Sequence, residues 1–221
     1  MKAMKAIKAM KAIKAIKGKL AMLKHLFAAL LAASFLITGC KDASGPGAAG
    51  GAKSASAPVS VAAIAAEATG FTAGSAVSAR TVYVFFDAQC PHCSELWRNA
   101  KPLKSQAKFV WIPVGLLNAA STAQGATLLA SKDAVALMDE HEASMLAKRG
   151  GISGGSDIDA QKDQVAKNTQ LLNRFGFASI PTIVGTHAET GALVTKEGAL
   201  STAALASLLG LQPPADTAPA R

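Results

Sequence analysis

Two cysteines separated by two residues, Cys90-Pro91-His92-Cys93, stand where an apolar strand gives way to a helix. That junction restricts the chain more than any other stretch. The strand is Thr81-Val-Tyr-Val-Phe-Phe86, rich in β-branched and aromatic residues. Asp87, Ala88 and Gln89 form a short polar turn. The period then changes, and Leu96, Trp97, Ala100 and Leu103 are spaced like one face of a helix. Cys90 is therefore expected at a helix N-terminus with Pro91 at the first helical position, where a missing N–H costs nothing.

Unpaired N–H groups and the positive end of the helix dipole favour an anion at Cys90, so its thiol is expected to ionise readily. A protonated His92 adds a second positive charge. Free cysteine has a pKa of about 8.5, and such settings bring it to about 3.5–7.5. Each unit is worth about 1.4 kcal/mol of thiolate stabilisation. A stabilised thiolate favours the reduced state and makes the disulfide a stronger oxidant. Cys93, one turn on, is expected to be more buried and to act as the resolving thiol. The pattern reads as a redox pair that needs no cofactor, since the electrons reside in the cysteines.

Two other readings exist. A C-x-x-C is half of a zinc site, but a structural site takes four ligands. Only Cys40 and the scattered His25, His141 and His187 remain, with no second paired motif and hence no metal site expected. A purely structural disulfide is the other, although closing so short a loop removes little unfolded-state entropy.

The run Val82-Tyr-Val-Phe-Phe-Asp-Ala-Gln-Cys-Pro-His-Cys93, followed by Trp97 and Lys101-Pro102, resembles the catalytic domain of the periplasmic thiol:disulfide interchange proteins of the DsbC/DsbG type. The resemblance is nearest to DsbG. It continues through Trp111-Ile-Pro-Val-Gly-Leu-Leu117 and Leu128-Leu-Ala-Ser-Lys-Asp133, covering about residues 70–210. It implies an α/β, thioredoxin-like fold and dithiol–disulfide exchange with cysteine-containing envelope proteins, recycled by a membrane redox partner. One departure is the dipeptide: Pro91-His92 matches the DsbA-type oxidases, whereas DsbG has Pro-Tyr. The resemblance also implies a cis-proline opposite the cysteines, and Ile180-Pro181 occupies that position. There the backbone of residue 180 is expected beside Cys90, ready to pair with an extended substrate chain. An ordinary trans proline opening a strand is the alternative.

Residues 1–39 hold eight lysines and no acid, while the other 15 Lys and Arg face 14 Asp and Glu. The formal charge of +9 thus belongs almost wholly to the leader and gives no support to a nucleic-acid surface. Lysines at every third position from Lys2 to Lys17 drift around a helix axis and make no lasting amphipathic face. Met22 is an alternative start. The apolar run Leu26–Gly39 has the length of a signal h-region, too short to span a bilayer comfortably. It ends Leu36-Ile-Thr-Gly-Cys40, which resembles the bacterial lipobox, so residues 1–39 read as a lipoprotein signal peptide and Cys40 as the lipidated residue. An ordinary secretory signal with an incidental cysteine is the alternative. Lys41 points to the outer rather than the inner membrane.

Residues 40–60, mostly Ala, Gly, Ser and Pro, read as a flexible tether. Residues 61–211 then form the catalytic domain, and 212–221 a disordered tail. The separate dimerisation domain that the resembled family carries has no room before residue 61, so a monomer is expected. Within the domain, a short helix is expected over 61–68, a strand over Lys108–Val114 that bends at Pro113, and a helix over Ala123–Ser131 capped by Ser121. Another begins near Asp133 and runs through Met145, with His141, between Glu140 and Glu142, on its solvated face. Gly150–Gly155 reads as a loop free to move. A helix from Asp159 to Phe175, a hairpin of Val184 with Ala192–Thr195, and a helix over Ser201–Leu209 complete the order. This order is thioredoxin-like with a helical insertion before Pro181. A protein that merely keeps this fold, as a metal- or protein-binding lipoprotein, is the non-enzymatic alternative. Reductive, isomerising or sulfenic-acid repair chemistry is the enzymatic one.

Overall fold

The computed structural model describes residues 56–214. Cys40, the leader and most of the tether lie outside the described residues. So do residues 215–221.

Five strands form one sheet in the order β1-β3-β2-β4-β5, with β1 Phe71–Gly74, β2 Thr81–Phe86, β3 Lys108–Pro113, β4 Thr182–Thr186 and β5 Leu193–Glu197. Only β2 and β3 run parallel; the other pairs are antiparallel. The sequence of β2 explains its central place. Val82, Val84 and Phe86 enter one core, with Leu96, Trp97, Leu205 and Leu209, while Tyr83 and Phe85 enter the other, with Ile64, Leu171 and Phe175. A strand covered on both faces is apolar throughout rather than alternating. Phe85, fully buried, contributes about 1.5–3 kcal/mol on this scale.

The first core lies under α2 (Pro91–Ala100), a single 3-10 turn over Lys101–Leu103, and α6 (Thr202–Leu209). The second lies under α1 (Val61–Glu67) and α5 (Asp159–Arg174). Between β3 and β4 the chain inserts α3 (Ala119–Ala130) and α4 (Ala134–Leu146) before α5, giving a mixed α/β thioredoxin-like fold with an added helical subdomain. No helix among the described residues is long and apolar enough to cross a membrane.

Several sequence expectations need correction. Ser121 does not cap α3 from outside; Asn118 does, and Ser121 is the third helical residue, its hydroxyl oxygen accepting from the Asn118 N–H. His141 is not on a solvated face but wholly buried, as is nearly all of Glu142. The hairpin strands run further than expected, pairing Thr182–Thr186 with Leu193–Glu197 around a loop at 187–192. The short strand β1 was not anticipated at all. It pairs Phe71 with Trp111 and ends at Gly74, where φ is +101° and an added Cβ would meet the Ala107 and Lys104 carbonyls. Gln212 exchanges two hydrogen bonds with Gln106.

Candidate redox site

Cys90 is the N-cap of α2 and Pro91 its first residue. The Cys90 carbonyl accepts from the N–H groups of Cys93 and Ser94, at 3.0 and 3.2 Å. No side chain caps this helix, and the His92 and Cys93 N–H groups at its start act on the Cys90 sulfur. Both cysteines are free thiols; Cys90 is 6% exposed and Cys93 1%. That ordering leaves Cys90 the one a partner can reach.

The electrostatics separate the two thiols strongly. Cys90 is pushed down to about 6, chiefly by the hydrogen bond from the Cys93 side chain. Burial opposes this, and the Cys93 and His92 backbone N–H groups add to it, followed by the His92 charge. His92 thus contributes less than its position suggested: its side chain is 73% exposed and its Nδ1 sits 3.6 Å from the Glu95 carboxylate. Cys93 is driven far above the ordinary thiol range, first by burial and then by its interaction with Cys90. A readily formed thiolate in front and a reluctant thiol behind form an ordered pair.

The Ile180–Pro181 peptide is cis, and the Ile180 carbonyl oxygen lies 3.9 Å from Cys90 Sγ. The chain therefore brings Cys90, Cys93, Ile180 and Pro181 together, with His92 on the outer side of the helix. Cys40 lies outside the described residues.

Asp87 does more than make a polar turn. It is fully buried; Oδ1 accepts from the Gln89 N–H, and Oδ2 from the Leu116 and Leu117 N–H groups, at 2.8–3.0 Å. Its carboxyl group ties the 87–90 turn to the loop after β3. The sequence signal is an acid directly after a strand rich in valine and aromatic residues, a costly place for a polar group without fixed partners. The Ser94 hydroxyl and the Glu142 carboxyl are buried together, and burial pushes the Glu142 carboxyl up, with Ser94 opposing. Among the described residues, no three His, Cys, Asp or Glu side chains are grouped to hold a metal ion.

No family model matches the chain. It is 34% identical over 140 residues to the thiol:disulfide interchange protein DsbG of Pseudomonas aeruginosa, covering 62% of this chain and 54% of that one. To DsbG of Escherichia coli it is 30% identical over 104 residues, covering 46% and 42%. The chain thus spans about half the length of the curated relatives it matches. Among solved structures it resembles the catalytic domain of Proteus mirabilis ScsC (TM-score 0.51, 16% identity, 67% of this chain and 96% of that one). It also resembles Pseudomonas aeruginosa DsbA2 (TM-score 0.52, 19% identity, 62% and 91%). At such identities these two speak for the fold alone. The chain is a thioredoxin-fold protein related to the thiol:disulfide interchange proteins, with a C-x-x-C cysteine pair at the start of α2.

Proposed function

We propose that this chain is a thiol:disulfide oxidoreductase of the bacterial cell envelope, exchanging disulfides with protein substrates through Cys90 and Cys93. The observation that carries the reading is the opposed tuning of two thiols one turn apart, Cys90 down to about 6 and Cys93 far up. In the reducing direction the Cys90 thiolate attacks a substrate disulfide. A mixed disulfide forms, and one substrate thiolate leaves. Cys93 then gives up its proton and attacks Cys90 Sγ. The second substrate thiolate leaves, and the internal disulfide closes. Two electrons pass from the pair to the substrate, and the reverse sequence oxidises a substrate dithiol. Thiolate stabilisation at Cys90 favours the reduced pair, so the disulfide-donating direction is the principal one. His92 adjusts the thiolate, Pro91 sets the helix start, and the Ile180 backbone before Pro181 receives an extended substrate segment.

The organisation proposed with this chemistry is a signal peptide over 1–39, a tether over 40–60 lipidated at Cys40, a catalytic domain over 61–211 and a tail over 212–221. The domain then works in the periplasm as a monomer, held to a membrane by its lipid, with the outer membrane favoured by Lys41. Cys40→Ser is expected to leave the leader uncut and the protein unlabelled by radioactive lipid; label retained on that variant refutes the anchor.

The deciding experiment is the reduction potential of the Cys90–Cys93 pair in glutathione buffers, read as a mass shift after alkylation. A potential well above the glutathione couple supports disulfide donation. One near or below it supports the reductive or repair direction that the similarity to DsbG favours. A pair that never cycles refutes the redox reading.

A further inference from the structure

One buried histidine holds both the active-site turn and the glycine loop that follows α4. His141 faces inward from α4 and is fully buried. Its Nε2 lies 2.7 Å from the Ala88 carbonyl oxygen, and its Nδ1 lies 3.2 Å from the Ile152 nitrogen. A carbonyl only accepts and an N–H only donates, so the two contacts together fix a neutral ring with its hydrogen on Nε2. Polar groups close around this contact. Gln124 Nε2 donates to the Gly150 and Ile152 carbonyls, both at 2.8 Å. Gln89 Nε2 donates to Gly150 O at 3.0 Å, and Ser144 Oγ to Gly151 O at 3.0 Å. Gly151 has φ +87°, and a Cβ there would collide with the imidazole, so only glycine lets the loop lie against the ring.

The consequence reaches Cys90 through one peptide. Between Ala88 and Gln89 the carbonyl is held by His141 and the N–H by Asp87 Oδ1, 2.8 Å away. The next residue is Cys90, whose own N–H donates to the Asp87 carbonyl. We infer that His141 is a positioning residue for the Cys90 thiolate: as a neutral ring it fixes the 88–89 peptide and clamps the 150–155 loop, and on gaining a proton it lets the loop go and loosens the turn. The inference rests on the proposed redox reading only in taking Cys90 as the reactive thiol.

A proton added to the ring sits on Nδ1 and faces the Ile152 N–H, donor against donor. Few ionisable groups surround the ring to stabilise that charge. The turn brings Cys90 and Asp87, whose carboxylate oxygens already accept backbone N–H groups. Its own helix brings Glu142, and α2, packed against α4, brings Cys93 and Arg98, the latter a positive charge felt at Glu142. Neither α3 nor the 150–155 stretch contains an ionisable residue, and Lys148 and Arg149 stand exposed just before the loop. Burial lowers the ring's pKa, with the bond to Ala88 opposing. A pKa lowered on folding gives stability that is fully present above the ordinary histidine value and lost as pH falls through the folded one.

The test compares the full chain with His141→Gln and His141→Phe, following amide exchange over 150–155 and the alkylation rate of Cys90 across a pH series. The Gln amide offers a donor to Ala88 and an acceptor to Ile152 but does not titrate. It is expected to keep the loop protected in acid, where the wild type loses protection, and to keep the neutral-pH alkylation rate within about twofold. Phe fills the space but makes neither bond, and is expected to slow alkylation near pH 6 about fivefold, as a Cys90 pKa higher by one would. Identical pH dependence of loop protection in wild type and Gln variant overturns the inference, as does a folded Phe variant that alkylates at the wild-type rate. Should the Phe variant not fold, the Gln comparison decides alone. Both readouts remain measurable in a protein that never exchanges disulfides, so failure of the redox reading is seen separately.

Discussion

The start of α3 is closed by its own side chains, and the start of α2 is left open. Asn118 Oδ1 accepts from the Ala120 and Ser121 N–H groups, while Ser121 Oγ accepts from the Asn118 N–H, which satisfies three donors without help from elsewhere. Cys90 occupies the same position on α2 and makes no side-chain cap bond. Neither helix has an acid in its first turn. The difference shows what an uncapped terminus does: it gives up a stabilising bond and keeps a field and a set of donors for an anion formed on demand. In α3 those donors hold the insertion in place. In α2 they add to the Cys93 side chain in lowering the Cys90 pKa.

The largest effect is expected where the open start is closed. Cys90→Ser is expected to abolish disulfide exchange, measured as turnover of a scrambled-disulfide substrate. At pH 5 the same change should raise unfolding free energy by about 1 kcal/mol, because serine is a good N-cap and the wild-type thiol is then protonated. The sign of the pH dependence follows from the lowered Cys90 pKa. Thiolate stabilisation of the reduced fold is full above the ordinary thiol range and is lost as pH falls through about 6. The serine advantage should therefore shrink as pH rises; an advantage that grows instead breaks the comparison.

Next in size is Cys93→Ala. The Cys93 thiol is the first cause of the low Cys90 value, so its removal should move Cys90 ionisation, followed by absorbance at 240 nm, toward the ordinary value of about 8.5. His92→Ala should move it far less, since that side chain stands mostly in water. A larger shift for His92 would transfer the tuning from the buried Cys93 thiol to the exposed ring. Smallest in its reach is Asn118→Ala, expected to cost about 1 kcal/mol in denaturant unfolding while leaving Cys90 ionisation in place. A shift in the thiol on that substitution would show that the two helix starts are not independent.

The elements around Cys90 were legible because each carries a local signal. Thr81–Phe86 is a run of β-formers, Pro91 marks a first turn, and Leu96, Trp97 and Ala100 keep the helical period. What was misread is held by distant partners instead. β1 is four residues with one large apolar side chain, and its pairing to β3 supplies what its sequence does not. His141 lies between two glutamates on a helix whose buried face includes polar residues, so apolar periodicity points away from it. The Gly150–Gly155 stretch has the composition of a free loop, yet Gln89, Gln124, Ser144 and His141 all bind it. Asn118 carries little signal as a cap, because two alanines follow it and the apolar pattern that marks a helix start begins only a turn later.

The aromatic cluster beneath α2 has an optical consequence. The chain has two tryptophans, Trp97 and Trp111, and their rings meet edge to face at 4.9 Å between centroids, against Phe71 and Phe86. Trp97 stands one helical turn beyond Cys93 on the same buried face. All indole emission from this protein therefore originates in one buried patch on the side of α2 that carries Cys93, where a closed disulfide is expected to act as a quencher. A drop in emission when the cysteine pair is oxidised is the expected outcome, with no second indole elsewhere to blur the reading.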